Sequence, residues 1–116
     1  MRRDRRPDKS LPPVDKVSES QIRATQAQIR ERSGTMPDLD LHAMSAQEAA
    51  VEIQSFLSRC HVDDEASCLI HHGKGTGILA KVVKQEIQKA TSQGIVEQSL
   101  PSEKYPGGAV LVVFNP

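Results

Sequence analysis

Between residues 36 and 116 the chain alternates short apolar runs of strand length with two longer segments whose apolar residues recur at helical spacing. That alternation restricts the fold more than any other feature. A strand that reaches the next strand through a helix runs parallel to it, by a right-handed crossover, in one sheet. The expected class is therefore α/β: a βαβαββ two-layer sandwich with a mostly parallel or mixed four-stranded sheet, preceded by an N-terminal helix.

The segments are well punctuated. Asp38-Leu39-Asp40-Leu41-His42 alternates leucine with polar residues, so a strand there puts Asp40 and His42 on one face. Ser45 and Glu48 have the spacing of a capping box, and Ala46, Ala49, Ala50, Ile53, Phe56, Leu57 and Cys60 keep helical spacing behind them. Ala66 to His71 reads as a buried parallel strand. A second helix runs from about Ile78 to Ser92 on Leu79, Val82, Val83, Ile87 and Ala90, with Gly94 as its stop. Ile95–Leu100 and Ala109–Phe114 are the remaining strands.

Ahead of this body, residues 1–17 hold Arg2, Arg3, Arg5, Arg6 and Lys9 among Pro7, Pro12 and Pro13, a composition suited to a flexible basic arm. Residues 18–35 read as a helix opened by Ser18 and Gln21 and closed by Gly34. Its apolar stripe is thin, Ile22, Ala24, Ala27 and Ile29, so it packs weakly or leans on a partner. The division is thus 1–17 arm, 18–35 helix and 36–116 α/β domain.

Formal net charge is zero, yet residues 1–35 carry nine Lys/Arg against five Asp/Glu while residues 36–116 carry six against ten. An acidic body does not hold a polyanion by bulk electrostatics, so contact with nucleic acid must come from a local positive focus or from the basic end. With 3% aromatic residues there is no base-stacking signal. Cys60 and Cys68 lack the paired spacing of a zinc site or disulfide framework and read as packing residues. No apolar run approaches the roughly 18 residues that cross a bilayer, so the expectation is a cytoplasmic protein without a membrane partner.

The chemistry gathers where the parallel strands end. Ligands of such sheets collect beyond the carboxyl ends of the strands, where Asp40, His42, His71 and His72 fall. His72-Gly73-Lys74-Gly75-Thr76-Gly77 then enters a helix, whose unpaired N–H groups and dipole attract an anion. Gly73, Lys74, Gly75, Thr76 and Gly77 are the candidate phosphate-binding residues. Two named phosphate motifs are excluded: the Walker pattern needs glycine where Cys68 stands, and the dinucleotide pattern needs one at Ile78.

Leu39-Asp40-Leu41-His42, then His72-Gly73-Lys74-Gly75-Thr76-Gly77, then Gly107-Gly108 before Val110-Leu111-Val112-Val113-Phe114 resemble, in order and spacing, the small MutS-related (Smr) domain. The resemblance covers residues 36–116. It departs at Ala43, where the family usually has glycine, and at Val110, where it commonly has a small residue. It implies a cytosolic module acting on nucleic acid, DNA or RNA, with endonuclease activity in several members and ribosome-associated RNA as a target of others. On that footing the catalytic candidates are Asp40, His42, His72 and Lys74, with Gly107 and Gly108 in a nucleic-acid loop. His72 would transfer the proton, His42 paired with Asp40 would be its partner acid or base, and Lys74 would neutralise charge on phosphorus. A divalent metal, Mg or Mn, would serve DNA cleavage. Against the endonuclease reading stands a non-catalytic module that binds nucleic acid or a ribosome, and, third, an interaction domain using the N-terminal helix as a handle.

Overall fold

The structure, a computed structural model, describes residues 14–116; residues 1–13 of the expected 1–17 arm lie outside the described residues. The elements are α1 (Val14–Ser33), β1 (Asp38–Asp40), α2 (Ala46–Val62), β2 (Ser67–His71), α3 (Ile78–Ser92), β3 (Val96–Pro101) and β4 (Ala109–Phe114). The sheet order is β1-β2-β4-β3. β1 and β2 are parallel, as the helical crossover between them requires, whereas β4 is antiparallel to both of its neighbours. The sheet is therefore mixed, with one parallel pair rather than mostly parallel pairs. β3 returns directly through a loop over residues 102–108 to make a hairpin with β4, and a hairpin is necessarily antiparallel.

Both sheet faces are covered, and β4 reads that arrangement out by alternation. Val112 and Phe114 join Ile53, Phe56, Leu57, Cys68, Ile70, Val83 and Ile87 in the core beneath α2 and α3. Ala109, Leu111 and Val113 turn the other way, to Leu69 and Ala27 beneath α1. Each buried Leu, Ile or Phe contributes about 1.5–3 kcal/mol of burial free energy, so the two-helix face dominates stability. Cys60 and Cys68 are free thiols within that core. Burial, with the neighbouring Cys60, pushes the Cys68 thiol up.

Two local expectations are corrected. First, α1 begins at Val14, four residues ahead of the expected start, because the last proline is Pro13 and nothing in residues 14–17 opposes a helix; the Ser18/Gln21 pattern lies inside it. Second, α1 packs on only part of its apolar stripe, through Ala27. Ile22 and Ile29 are about half exposed, while Ala27 and Glu31 are buried. The packed face is largely polar and grips the body by specific bonds: Gln98 donates to the carbonyl and hydroxyl oxygens of Ser20, Arg23 pairs with Glu97, and Arg30 donates to Ser67 Oγ at 2.9 Å and lies 3.5 Å from Glu65. The Arg23 guanidinium holds the Glu97 carboxyl below its ordinary range. Part of the charge asymmetry between the chain's two ends is thus used internally, basic α1 against the acidic body. No helix among the described residues is long and apolar enough to cross a membrane.

Candidate functional site

The topology brings three chain segments to one edge of the sheet. Because β1 and β2 are parallel, with Asp40 opposite His71, the residues after both strands emerge side by side, and the Leu41 N–H donates to the His71 carbonyl at 2.9 Å. Because β4 is antiparallel to β2, with Ala109 opposite His71, the Gly107-Gly108 end of the hairpin loop arrives there too. Two adjoining clefts result. One, about 550 Å³, is lined by His42 to Ala46 and by His72 to Ala80. The other, about 440 Å³, is lined by Asp40, His42, His71, His72, Gly73, Lys74, Lys104, Tyr105, Pro106 and Gly108. All four candidate catalytic residues, Asp40, His42, His72 and Lys74, are thereby gathered at this edge.

Two helices begin here, and their N-termini differ. At α2 the capping box expected from Ser45 and Glu48 is formed: Glu48 N–H donates to Ser45 Oγ at 3.1 Å and Ser45 N–H to Glu48 Oε1 at 2.8 Å. That bond from the Ser45 N–H holds the Glu48 carboxyl below its ordinary range. At α3 the N-cap is Gly77, in the left-handed region at φ 87°, with no side-chain cap. A side chain at Gly77 would be strained in that conformation, and a capping hydroxyl or carboxylate would occupy the donors. The N–H groups of Gly75, Gly77, Leu79 and Ala80 have no acceptor among the described residues, and that of Ile78 has only a long 3.4 Å contact with Thr76 Oγ1. Of the two helix N-termini, that of α3 is therefore the one with backbone donors left open to the cleft.

Gly73 is a correction. Its N–H and that of His72 both donate to the Gly108 carbonyl, at 2.9 and 2.8 Å, so Gly73 shapes the loop instead of offering its N–H to an anion. The same bonds explain why Gly107-Gly108 belongs to the site: it anchors the glycine loop, and the Lys74 stem lies across it. His72 Nδ1 lies 2.7 Å from the Gly73 carbonyl. A carbonyl only accepts, so Nδ1 carries the proton, and in the neutral ring Nε2 is left with its lone pair.

Asp40 and His42 do not share a strand face. β1 stops at Asp40, whose Oδ1 accepts the backbone N–H of His42 at 2.9 Å and so starts a turn. The expected Asp40 to His42 imidazole pairing is replaced by this bond, which competes with extension of the strand. Ala43 follows at φ 66°, the left-handed region. The loop keeps the backbone that a glycine would favour and carries the strain of a β-carbon there, of order 1–2 kcal/mol. Ala43→Gly is expected to stabilise the fold by about 0.5–1 kcal/mol, the relief of strain less the larger freedom of glycine in the unfolded chain. Thermal unfolding checks this; an unchanged or lower midpoint would contradict the strain.

Sequence reasoning missed Lys104 and Tyr105. They sit in a loop without regular pattern, and only the hairpin brings them opposite Asp40 and His71. His71 bonds Asp38 Oδ2 through Nε2 at 3.1 Å and meets the Tyr105 ring in a T-shaped contact, centroids 4.7 Å apart. Beneath the loop lies the buried Glu31 of α1, which accepts from Ser102 Oγ and from the N–H groups of Glu103 at 3.2 Å and Lys104 at 3.4 Å.

Among the described residues no group of three His, Cys, Asp or Glu side chains is placed to hold a metal ion. Asp40, His42 and His72 thus do not fit a resident metal by themselves. A larger groove of about 700 Å³ lies between α1 and the far end of β2 and β4, lined by residues including Ala27, Ile29, Ser67 and Phe114. It has neither an open helix N-terminus nor a cluster of histidines.

A family model described as Smr domain matches residues 39–115. The Endonuclease MutS2 of Anaeromyxobacter sp. (strain Fw109-5) is 29% identical over 98 residues, 84% of this chain and 12% of that protein. That of Staphylococcus aureus is 29% identical over 91 residues, 78% of this chain and 13% of that protein. The chain spans about an eighth of the length of these relatives. Among solved structures, the Smr domain of Thermus thermophilus MutS2 superposes with a TM-score of 0.56 at 25% identity, covering 70% of this chain and 100% of the other. YdaL, a stand-alone small MutS-related protein from Escherichia coli, gives 0.61 at 23% identity, covering 79% and 76%, a likeness of fold.

Proposed function

Since the chain belongs to the Smr domain family, we propose that the edge cleft is an endonuclease site that binds a phosphodiester at the α3 entrance and cleaves it, with RNA as the preferred strand. The observation that carries this reading is the uncapped N-terminus of α3 beside His72, whose Nε2 is left to exchange a proton.

Cleavage uses the neighbouring 2′-hydroxyl. His72 Nε2 takes its proton as the 2′-oxygen bonds to phosphorus; the bond from phosphorus to the 5′-oxygen breaks, and protonated His42 supplies the proton that this oxygen needs. The products are a 2′,3′-cyclic phosphate and a 5′-hydroxyl. N–H groups of Gly75, Gly77 and Leu79 hold a non-bridging oxygen, and Lys74 offsets the charge that grows on it. Thr76, between them, lines the cradle. Asp40 acts through the backbone, holding the turn that presents His42.

DNA lacks the internal nucleophile, and its hydrolysis ordinarily calls for a metal-activated water. RNA cleavage is therefore expected to persist in chelator, and any nicking of DNA to require added magnesium or manganese. Matched RNA and DNA strands incubated with and without chelator check this; chelator-sensitive RNA cleavage overturns the 2′-hydroxyl route. Inorganic phosphate is expected to shift the amide resonances of Gly75, Gly77 and Leu79 more than those of Ser45 to Gln47, where α2 is capped. The second reading, a module that binds nucleic acid or a ribosome without cutting, is favoured by Asp40 being bonded to backbone rather than to an imidazole. Inactivity on both strands with the phosphate response intact would select it.

A further inference from the structure

Resting on that reading of the glycine loop, we infer that the adjoining 440 Å³ cleft is a nucleobase subsite, in which Tyr105 stacks an unpaired base of the strand whose phosphate lies at the α3 entrance. The two clefts share His42, His72, Gly73 and Lys74, so a nucleotide spans them without leaving the surface. Tyr105 is the only tyrosine in the chain, and there is no tryptophan. It is 42% exposed, which leaves ring surface for a ligand.

What distinguishes Tyr105 from an incidental surface aromatic is how firmly it is held. Its N–H donates to Ser102 Oγ at 2.9 Å and its carbonyl accepts the Gly108 N–H at 2.9 Å. Ser102 Oγ donates in turn to the buried Glu31, so the loop is fixed from the opposite face of the sheet. The ring rests on His71, which bonds Asp38. An aromatic plane fixed in advance loses little freedom when a base settles on it, which is the condition under which stacking adds affinity. Lys104, on the same loop, adds positive charge beside a strand backbone. A base inside a duplex presents no free face, so the subsite selects single strands, loops and ends.

The test uses the full chain and three probes: inorganic phosphate, ribose 5-phosphate and uridine 3′-monophosphate. Each is followed by the amides of Gly75 and Gly77 and by the Tyr105 ring protons, unambiguous in a chain with one tyrosine. The nucleotide is expected to shift both sets of signals and to bind about 5–150-fold more tightly than ribose phosphate, the range that one stacked base supplies. Tyr105→Ala should remove that advantage while leaving the affinity for inorganic phosphate unchanged; Tyr105→Phe should retain it. Equal affinity of wild type for the nucleotide and ribose phosphate, or a persisting advantage in Tyr105→Ala, overturns the subsite alone. Silence of Gly75 and Gly77 towards inorganic phosphate overturns the cradle on which the subsite depends.

Discussion

Replacing His72 by alanine is expected to slow RNA cleavage by about 10²–10⁴-fold, the usual share of general acid–base catalysis, while the domain stays folded. The fold expectation follows from what His72 holds. Its backbone N–H anchors the loop to Gly108, a bond alanine keeps, and among the described residues its side chain bonds only the adjacent Gly73 carbonyl. His42→Ala should also slow cleavage, and the double variant should fall short of the product of the two effects, because both act in one proton relay. Asp40→Ala should slow it as well, through displacement of the turn that carries His42. The measurement is single-turnover cleavage of an RNA strand, with circular dichroism as the check on fold. Full activity in folded His72→Ala would remove this histidine from the mechanism.

The second large effect is one of stability. Glu31→Ala is expected to cost about 2–4 kcal/mol, because the buried Ser102 hydroxyl and two backbone N–H groups lose their acceptor, at about 1–3 kcal/mol for a well-made bond and less for the two longer ones. Glu31→Gln, which keeps one carbonyl oxygen, should cost less. Urea unfolding gives the difference, and faster exchange of the Glu103 and Lys104 amides would locate it in the loop. An unfolding free energy within about 0.5 kcal/mol of wild type would mean that water replaces the carboxylate at little cost. Glu31 lies outside the stretch matched by the family model. The N-terminal helix is joined to the hairpin loop by the Glu31 carboxylate and, at the surface, by the Arg32–Glu103 ion pair at 3.2 Å.

The elements read most accurately from sequence were those with redundant local signals. α2 has a capping box, seven apolar residues at helical spacing and a polar exit, and the structure assigns Ala46–Val62 with that box formed. α3 matches Ile78–Ser92, and β4 matches Ala109–Phe114. At α1 hydrophobicity is a poor guide to the packed face. Ile22 and Ile29 remain exposed, while Arg23, Arg30 and Glu31 find partners as far away as Glu97, Ser67 and Ser102. A polar contact of that kind leaves no periodic trace, since a charged residue reads alike whether water or a distant partner satisfies it.

At the site the division has the same cause. The sequence by itself determined the crossover, the parallel pairing of β1 and β2, and hence the meeting of His42, His72 and the Gly73–Gly77 loop at one edge, because local periodicity and the handedness of the crossover suffice for that. Tertiary structure alone decided that Asp40 bonds a backbone N–H, that Gly73 is spent on Gly108, that Ala43 adopts a left-handed backbone, and that Lys104 and Tyr105 face Asp40 and His71. The Gly73 bond and the placing of Lys104 and Tyr105 depend on the packing of β4 between β2 and β3, and the turn at Asp40 and Ala43 on β1 ending after three residues paired with β2; short-range sequence signals carry neither.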